Sequence, residues 1–144
     1  MWYGEYHHTL DGKERFVLPA KFRDKMKSFS NKTFYLTRGL DSCLFLFHSE
    51  VWRQFEERLK GLAFTKQQSR SFNRLYFSGA QEMEIGAQGR LTIPGYLKKY
   101  AGIERDIVIV GVSDRIEIWA AQQWNTFFEE NQPNFEKVSE DLFE

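Results

Sequence analysis

Short hydrophobic runs rich in strand-forming residues, bounded by turn signals, recur along the chain, and this pattern predicts strands. Asp11-Gly12 is a tight-turn signal between two such runs. Pro19 then fits the first turn of a helix, where its missing amide hydrogen costs no hydrogen bond. The predicted elements are two strands, a short helix and a second pair of strands, at 5–10, 16–18, 20–26, 33–37 and 44–47.

The same order of elements recurs in the second half of the chain. Residues 10–19 and 85–94 align at an offset of 75, and residues 40–47 and 112–119 align at an offset of 72. The chain is therefore a tandem duplication with a small difference in length inside each unit. The second set of strands is predicted at 82–85, 91–93, 107–112 and 116–119, with a short helix at 95–100.

Longer helices are predicted after each second strand pair. Ser49 is the expected N-cap of the first, followed by Trp52 on an apolar stripe. Thr65 begins a capping-box pattern, which predicts a further helix between the repeats. We therefore divide the chain into a first repeat (5–50), a helical connector (51–78), a second repeat (79–123) and a C-terminal helical region (124–144).

Composition indicates a globular chain that is rich in aromatic side chains, with 42% hydrophobic, 28% charged and 17% aromatic residues. The net charge is zero, but the first 38 residues hold eight Lys or Arg against four Asp or Glu, and the last 28 hold seven acidic residues against one basic. This asymmetry would orient the molecule on a polyanion. The sequence shows no long apolar run and no signal-peptide pattern, so we expect a cytoplasmic protein.

The residue pattern does not indicate catalysis or metal binding, and we expect no cofactor. His7 and His8 are neighbours on a predicted strand, so their side chains point to opposite faces and cannot easily share a metal ion. Cys43, the only cysteine, lies in a hydrophobic run and is expected to be a small buried side chain. A Walker lysine, a dinucleotide-binding glycine motif and a nucleophile elbow are all missing from the sequence.

The arginines of the two predicted loops are the strongest candidates for binding. An arginine at an exposed turn can form two hydrogen bonds at once, to a phosphate or to a guanine edge. Arg15 has a simpler alternative, which is to pair with Asp11 across its own loop. Arg90 stands at the same loop position although Gly86 replaces the aspartate, and this recurrence favours binding. Glu14 carries a negative charge in the first loop and is expected to repel a phosphate.

Motifs spread over nearly the whole chain form a recognisable set. They are Tyr3-Gly4-Glu5-Tyr6, Leu10-Asp11 with Lys13 and Arg15, Leu18-Pro19, Cys43-Leu44, Gly89-Arg90 with Ile93-Pro94, and Val110-Gly111 followed by Ile116-Glu117-Ile118-Trp119. Together they resemble the MraZ family of bacterial transcriptional regulators. The resemblance implies an α+β fold: two tandem AbrB-like swapped-hairpin β-barrel repeats that form one pseudo-dimeric core with flanking helices.

The resemblance also implies a function. We expect a cytoplasmic, nucleoid-associated regulator that recognises short direct repeats upstream of its own division and cell-wall gene cluster. Family members usually repress that promoter and assemble into rings, so the expected partners are double-stranded DNA and further copies of the chain. A membrane and a small-molecule substrate are not expected as partners.

The candidate DNA-binding residues lie in and beside the two loops. The family's Asp-x-x-x-Arg motif carries over to Asp11 and Arg15, whereas only Arg90 carries over in the second loop. Because Gly86 replaces the aspartate there, we expect unequal roles for the loops unless Glu84 orients Arg90. The full set is Asp11, Lys13, Arg15, Gln88 and Arg90, with His8, Lys21 and Arg23 as supporting contacts.

Two other classes stay open on the sequence alone. One is an antitoxin-like module whose main partner is another protein. The other is an RNA-binding protein that uses the same basic loops. We do not expect an enzyme, because the sequence lacks a catalytic constellation.

Overall fold

Strands and helices follow one another twice in the same order in the computed structural model, which describes residues 1–143. Residue 144, the end of the predicted C-terminal region, lies outside the described residues. The strands are β1 (Trp2–Thr9), β2 (Arg15–Val17), β3 (Thr33–Arg38), β4 (Leu44–His48), β5 (Gln81–Glu84), β6 (Arg90–Thr92), β7 (Asp106–Ser113) and β8 (Arg115–Ala120). The helices are α1 (Ala20–Met26), α2 (Ser49–Lys60), α3 (Gln67–Ser78), α4 (Gly95–Ala101), α5 (Ala121–Asn131) and α6 (Phe135–Phe143), with a 3₁₀ turn at Gln132–Asn134.

The two repeats are interleaved in one six-stranded antiparallel sheet of order β1-β7-β8-β4-β3-β5. The first strand of each repeat pairs with a strand of the other repeat, β1 with β7 and β5 with β3. At the centre, β4 pairs with β8, and Phe45 lies opposite Glu117. These two residues are equivalent at the offset of 72. A pseudo-twofold axis that relates the repeats therefore passes between them.

A separate two-stranded ribbon is formed by β2 and β6, again one strand from each repeat. Successive side chains of a strand point to opposite faces. Phe16 and Leu91 point inward and are buried, so the ribbon covers one side of the core and turns its other face outward. The register is Arg15 to Thr92, Phe16 to Leu91 and Val17 to Arg90.

The main core lies between the ribbon, the short helices α1 and α4, and one face of the sheet. As predicted, α1 and α4 begin directly after Pro19 and Pro94. They place Phe22 and Leu97 in this core, against sheet residues such as Ile109. The two short helices therefore fix the ribbon over the sheet.

The longer helices pack on the opposite face of the sheet. On the side of the first repeat, the rings of Tyr35, Trp52, Tyr76 and Phe72 form a stack with successive centroid distances of 4.8, 5.3 and 5.4 Å. Each aromatic pair of this kind contributes about 0.5–1.5 kcal/mol beyond its buried area. This stack joins β3, α2 and α3 into one layer.

The predicted barrel is wrong in one respect, because the sheet ends at β1 and β5 and stays open. In a simple hairpin the two strands that flank a loop pair with each other. Here β1 does not pair with β2, and β5 does not pair with β6. In the first loop the Asp11 amide donates to the Arg15 carbonyl at 2.8 Å, and the strands then diverge. They diverge because β2 turns toward β6, where Phe16 is buried.

Two predicted helix caps are also wrong. The N-cap of α2 is His48, whose Nδ1 accepts from the Glu50 amide at 3.4 Å. Ser49 does not cap the helix because its hydroxyl donates to Asn31 Oδ1 at 3.1 Å. The N-cap of α3 is Lys66, and no side chain caps that helix, so the predicted capping box at Thr65 does not form.

We predict that Gly111→Ala destabilises the protein, because a Cβ at this position overlaps the backbone of Trp2 and Tyr3 in the paired strand β1. Overpacking of this kind costs about 1–3 kcal/mol of unfolding free energy, measurable by chemical denaturation. Gly95→Ala is the control, since its Cβ meets no atom within 4 Å. Equal stability of Gly111→Ala and the parent protein would contradict the close β1–β7 pairing.

Candidate nucleic-acid interface

The outward face of the ribbon brings together one arginine from each repeat. Arg15 and Val17 of β2 share this face with Arg90 and Thr92 of β6, because cross-strand partners point the same way. Arg90 is exposed, and the Arg15 side chain is 32% exposed. A cleft of about 400 Å³ lies between them, lined by His8, Thr9, Asp11, Arg15, Phe16, Val17 and Arg90.

Asp11 organises the first loop and fixes its arginine. Asp11 Oδ1 accepts hydrogen bonds from the amides of Lys13 at 2.8 Å and Arg15 at 3.0 Å. Asp11 Oδ2 accepts from Arg15 Nε at 3.0 Å. The Arg15 amide above all, then the Lys13 amide and the Arg15 side chain, hold the pKa of Asp11 below its usual value. The Asp11 carboxylate is therefore charged at neutral pH. It binds Arg15 through Nε alone, so the two Nη groups of Arg15 stay available as hydrogen-bond donors.

The second loop holds Arg90 without such an anchor. The Gly89 amide closes the turn by donating to the Gly86 carbonyl at 2.9 Å, and Gly89 has a left-handed φ of 71°. Glu84, which the sequence left open as a possible partner, does not orient Arg90, because its Oε1 accepts from the Thr33 hydroxyl at 2.6 Å. Within residues 1–143 the Arg90 side chain makes no hydrogen bond or ion pair. The two arginines therefore differ in how firmly they are positioned.

The charge of Glu14 is compensated inside the protein. Its carboxylate forms an ion pair with Lys98 Nζ of α4, and the Lys98 side chain is only 19% exposed. The expected repulsion of a phosphate by Glu14 is therefore reduced. Sequence reasoning did not find Lys98, although the offset of 75 aligns it with Arg23, which was a candidate.

Arg23 contacts the second loop, just as the equivalent Lys98 contacts the first. Its Nε donates to the Leu18 carbonyl at 3.0 Å, and its side chain packs where a Cβ of Gly89 would stand. Arg23 does not line the cleft between the two loop arginines. It lines a neighbouring cleft of about 320 Å³ beside Lys27, Lys32 and the Gly86 loop. Its position adds positive charge to this side of the molecule.

His8 lines the main cleft as a neutral side chain. Burial lowers the pKa of His8 below its ordinary value, and the nearby positive charge of Arg23 adds to this effect. The imidazole therefore offers hydrogen bonds at neutral pH rather than a charge.

The remaining candidates lie outside the cleft. Lys13 stands at the tip of the first turn, Gln88 stands next to Gly89 in the second, and Lys21 lies on α1. All three side chains are exposed, and none of them lines the cleft.

The fold and this surface define a tandem-repeat α+β protein whose halves exchange strands and jointly present two arginines. A family model described as "MraZ protein, putative antitoxin-like" matches residues 1–75 and again residues 76–144. The chain belongs to the MraZ family, which confirms the resemblance seen in its motifs and its tandem organisation. Family membership also places it among regulatory proteins. None of the described helices has the length and apolar character needed to span a membrane.

We predict that Asp11→Ala loosens the first loop. The amides of Lys13 and Arg15 lose their acceptor, so their hydrogen exchange becomes faster in NMR measurements. Asp24→Ala is the matched control, because the Asp24 carboxylate forms an exposed ion pair with Lys27 at 3.2 Å. Unchanged exchange at both amides would show that Asp11 does not hold the loop.

Proposed function

We propose that this protein binds double-stranded DNA through the outward face of the β2–β6 ribbon and represses transcription of its own division and cell-wall gene cluster. The observation that carries the proposal is the convergence of Arg15 and Arg90, 75 residues apart in sequence, on one exposed face. We also propose that the exchange of strands between repeats is the AbrB-like swapped-hairpin arrangement.

The ribbon has a shape and chemistry that DNA can accept. The major groove admits a two-stranded β-ribbon, and an arginine can donate two hydrogen bonds to a guanine edge there. Asp11 holds Arg15 by its Nε and leaves both Nη groups free for such a contact. Arg90 lacks this anchor and is suited to a phosphate, which accepts hydrogen bonds from many directions. The arginines therefore divide into a reader of bases and a contact to the backbone.

Nearby basic side chains add contacts to phosphate. Lys13 lies in the first loop and Arg23 packs against Gly89 of the second, while Lys21 is exposed on α1. The Glu14 carboxylate is paired with Lys98. One chain nevertheless offers few charges, and affinity for DNA depends on the number of phosphates that are neutralised. We therefore include assembly in the proposal, as a homo-oligomeric ring associated with the nucleoid. Several linked copies on tandem sites raise avidity by about 10² to 10⁴.

A second candidate function rests on the family description, which is antitoxin-like. An antitoxin-like protein would bind a protein partner in a fixed ratio. Co-purification with a stoichiometric toxin, together with no affinity for the upstream DNA, would favour this function over the first. Competition between duplex DNA and structured RNA tests the RNA-binding alternative.

We predict that Arg15→Ala and Arg90→Ala both weaken binding to the DNA upstream of the protein's own gene. Arg15→Ala is expected to cost about 1–3 kcal/mol and to relax sequence preference, as loss of a bidentate base contact does. Arg90→Ala is expected to cost less and to lower the slope of log affinity against log salt by about 1. Fluorescence anisotropy with operator and scrambled duplexes at several salt concentrations measures both effects.

Arg53→Ala is the control for the loss of one positive charge, because Arg53 lies exposed on α2, beyond the opposite face of the sheet. It should leave the affinity nearly unchanged. Unchanged binding by both loop variants would exclude the ribbon as the DNA-binding surface.

A further inference from the structure

Each loop contains one residue in the left-handed backbone conformation, and the two residues stand at equivalent places. Gly89 has a φ of 71° in the second loop, and Glu14, 75 positions earlier, has a φ of 61° in the first. Glycine adopts this conformation without strain, whereas a residue with a Cβ is disfavoured there and keeps it only where its surroundings hold it. The first loop therefore needs a contact that keeps Glu14 in place.

Both left-handed residues make the same backbone contact. The Glu14 carbonyl accepts from the Ile93 amide at 3.0 Å. The Gly89 carbonyl accepts from the Leu18 amide at 2.9 Å. Each bond joins a loop to the residue that precedes the proline of the other repeat. Arg15 follows Glu14 directly and begins β2, so its place on the ribbon depends on how Glu14 is held.

Lys98 provides the side-chain contact that holds Glu14. Its ammonium group pairs with the Glu14 carboxylate, and the Lys98 side chain is only 19% exposed, so salt screens this pair less than a pair on the open surface. In the second loop the equivalent Arg23 packs where a Cβ of Gly89 would stand. An ion pair in the first loop thus takes the place of the conformational freedom that glycine gives to the second.

Lys98 projects from a helix that is fixed on its other side. Tyr96 and Tyr100 lie two residues before and after Lys98, which places them on the opposite side of α4. The Tyr96 hydroxyl donates to the Gly79 carbonyl at 3.0 Å, and the Tyr100 hydroxyl donates to the Gly39 carbonyl at 2.6 Å. These hydrogen bonds tie α4 to the ends of α3 and β3, and so they fix the helix from which Lys98 extends.

We propose that Lys98 is a positioning residue of the candidate interface. By pairing with Glu14 it keeps the first loop in its left-handed turn, and through that loop it keeps Arg15 in place on the outward face of the ribbon. Lys98 itself does not line the cleft between the two loop arginines. The inference deepens the proposed function, on which its DNA readout rests, because it names a residue outside the cleft that sets the geometry inside it.

A double-mutant cycle on the full chain tests this role, with Lys98→Met, Glu14→Gly and the two changes together. Methionine keeps an unbranched apolar side chain without the charge. Glycine adopts the left-handed conformation freely and has no carboxylate that needs a partner. Lys99→Met is the matched control, because it removes one positive charge from an exposed position of the same helix. Fluorescence anisotropy with the upstream duplex measures the affinity of each variant.

We expect Lys98→Met to weaken DNA binding about tenfold, because it leaves Glu14 both strained and unpaired. In the Glu14→Gly background the same change should alter the affinity by less than about twofold, and Lys99→Met should stay within that range of the parent protein. If Lys98 contacted phosphate directly, or served only to fold α4, its loss would weaken binding equally in both backgrounds. That result, or equal effects of Lys98→Met and Lys99→Met, would overturn the inference.

Hydrogen exchange at the Ile93 amide separates this inference from the DNA-binding proposal, because it needs no DNA. That amide donates to the Glu14 carbonyl, so its exchange rate reports whether Glu14 is in place. We expect faster exchange in Lys98→Met and recovery of the parent rate when Glu14→Gly is added. Unchanged exchange in Lys98→Met would overturn the inference even if the protein binds DNA. The expected exchange in a parent protein that binds no duplex would support the role of Lys98 and overturn the DNA-binding proposal instead.

Discussion

Exchange of strands between the two repeats is the constraint on which the rest of the structure depends. β1 pairs with β7, β5 pairs with β3, and β2 pairs with β6, so neither repeat completes a sheet by itself. The exchange also explains how distant loops meet. Each loop leads into one strand of the ribbon, and the pairing of those strands sets Arg15 and Arg90 on one face. The candidate site is thus a product of the core rather than an addition to it.

The pseudo-symmetry is close in the backbone and looser in the side chains. The Leu18 amide donates to the Gly89 carbonyl, and the equivalent Ile93 amide donates to the Glu14 carbonyl. The first loop adds charged anchors, Asp11 to Arg15 and Glu14 to Lys98. The second loop has glycines instead and is supported by packing of Arg23. One backbone plan therefore carries two loops that are held in place by different side-chain contacts.

The sequence predicted the duplication and the order of strands and helices, because these depend on residue patterns along the chain. It also singled out Arg15 and Arg90, which the structure places on one face of the ribbon and whose role in binding stays a prediction. The pairing of strands in the sheet was not predicted, since a strand's residue pattern shows which of its faces is buried but not which strand lies beside it. The Glu14–Lys98 pair joins residues 84 positions apart, and no local signal reports it. The helix cap at His48 was not predicted for a similar reason. The Ser49 hydroxyl donates to Asn31, which is 18 positions away in the sequence, and so it does not cap the helix.

Joining both halves in one polypeptide removes a restriction that a true dimer would impose. Identical subunits must carry identical loops, and their twofold symmetry matches palindromic sites. Here Asp11 and Gly86 occupy equivalent places with different chemistry, so the ribbon has a distinguishable left and right end. In the DNA-binding mode proposed above, a surface with such polarity suits a site that reads differently in its two directions, as the units of a head-to-tail array do.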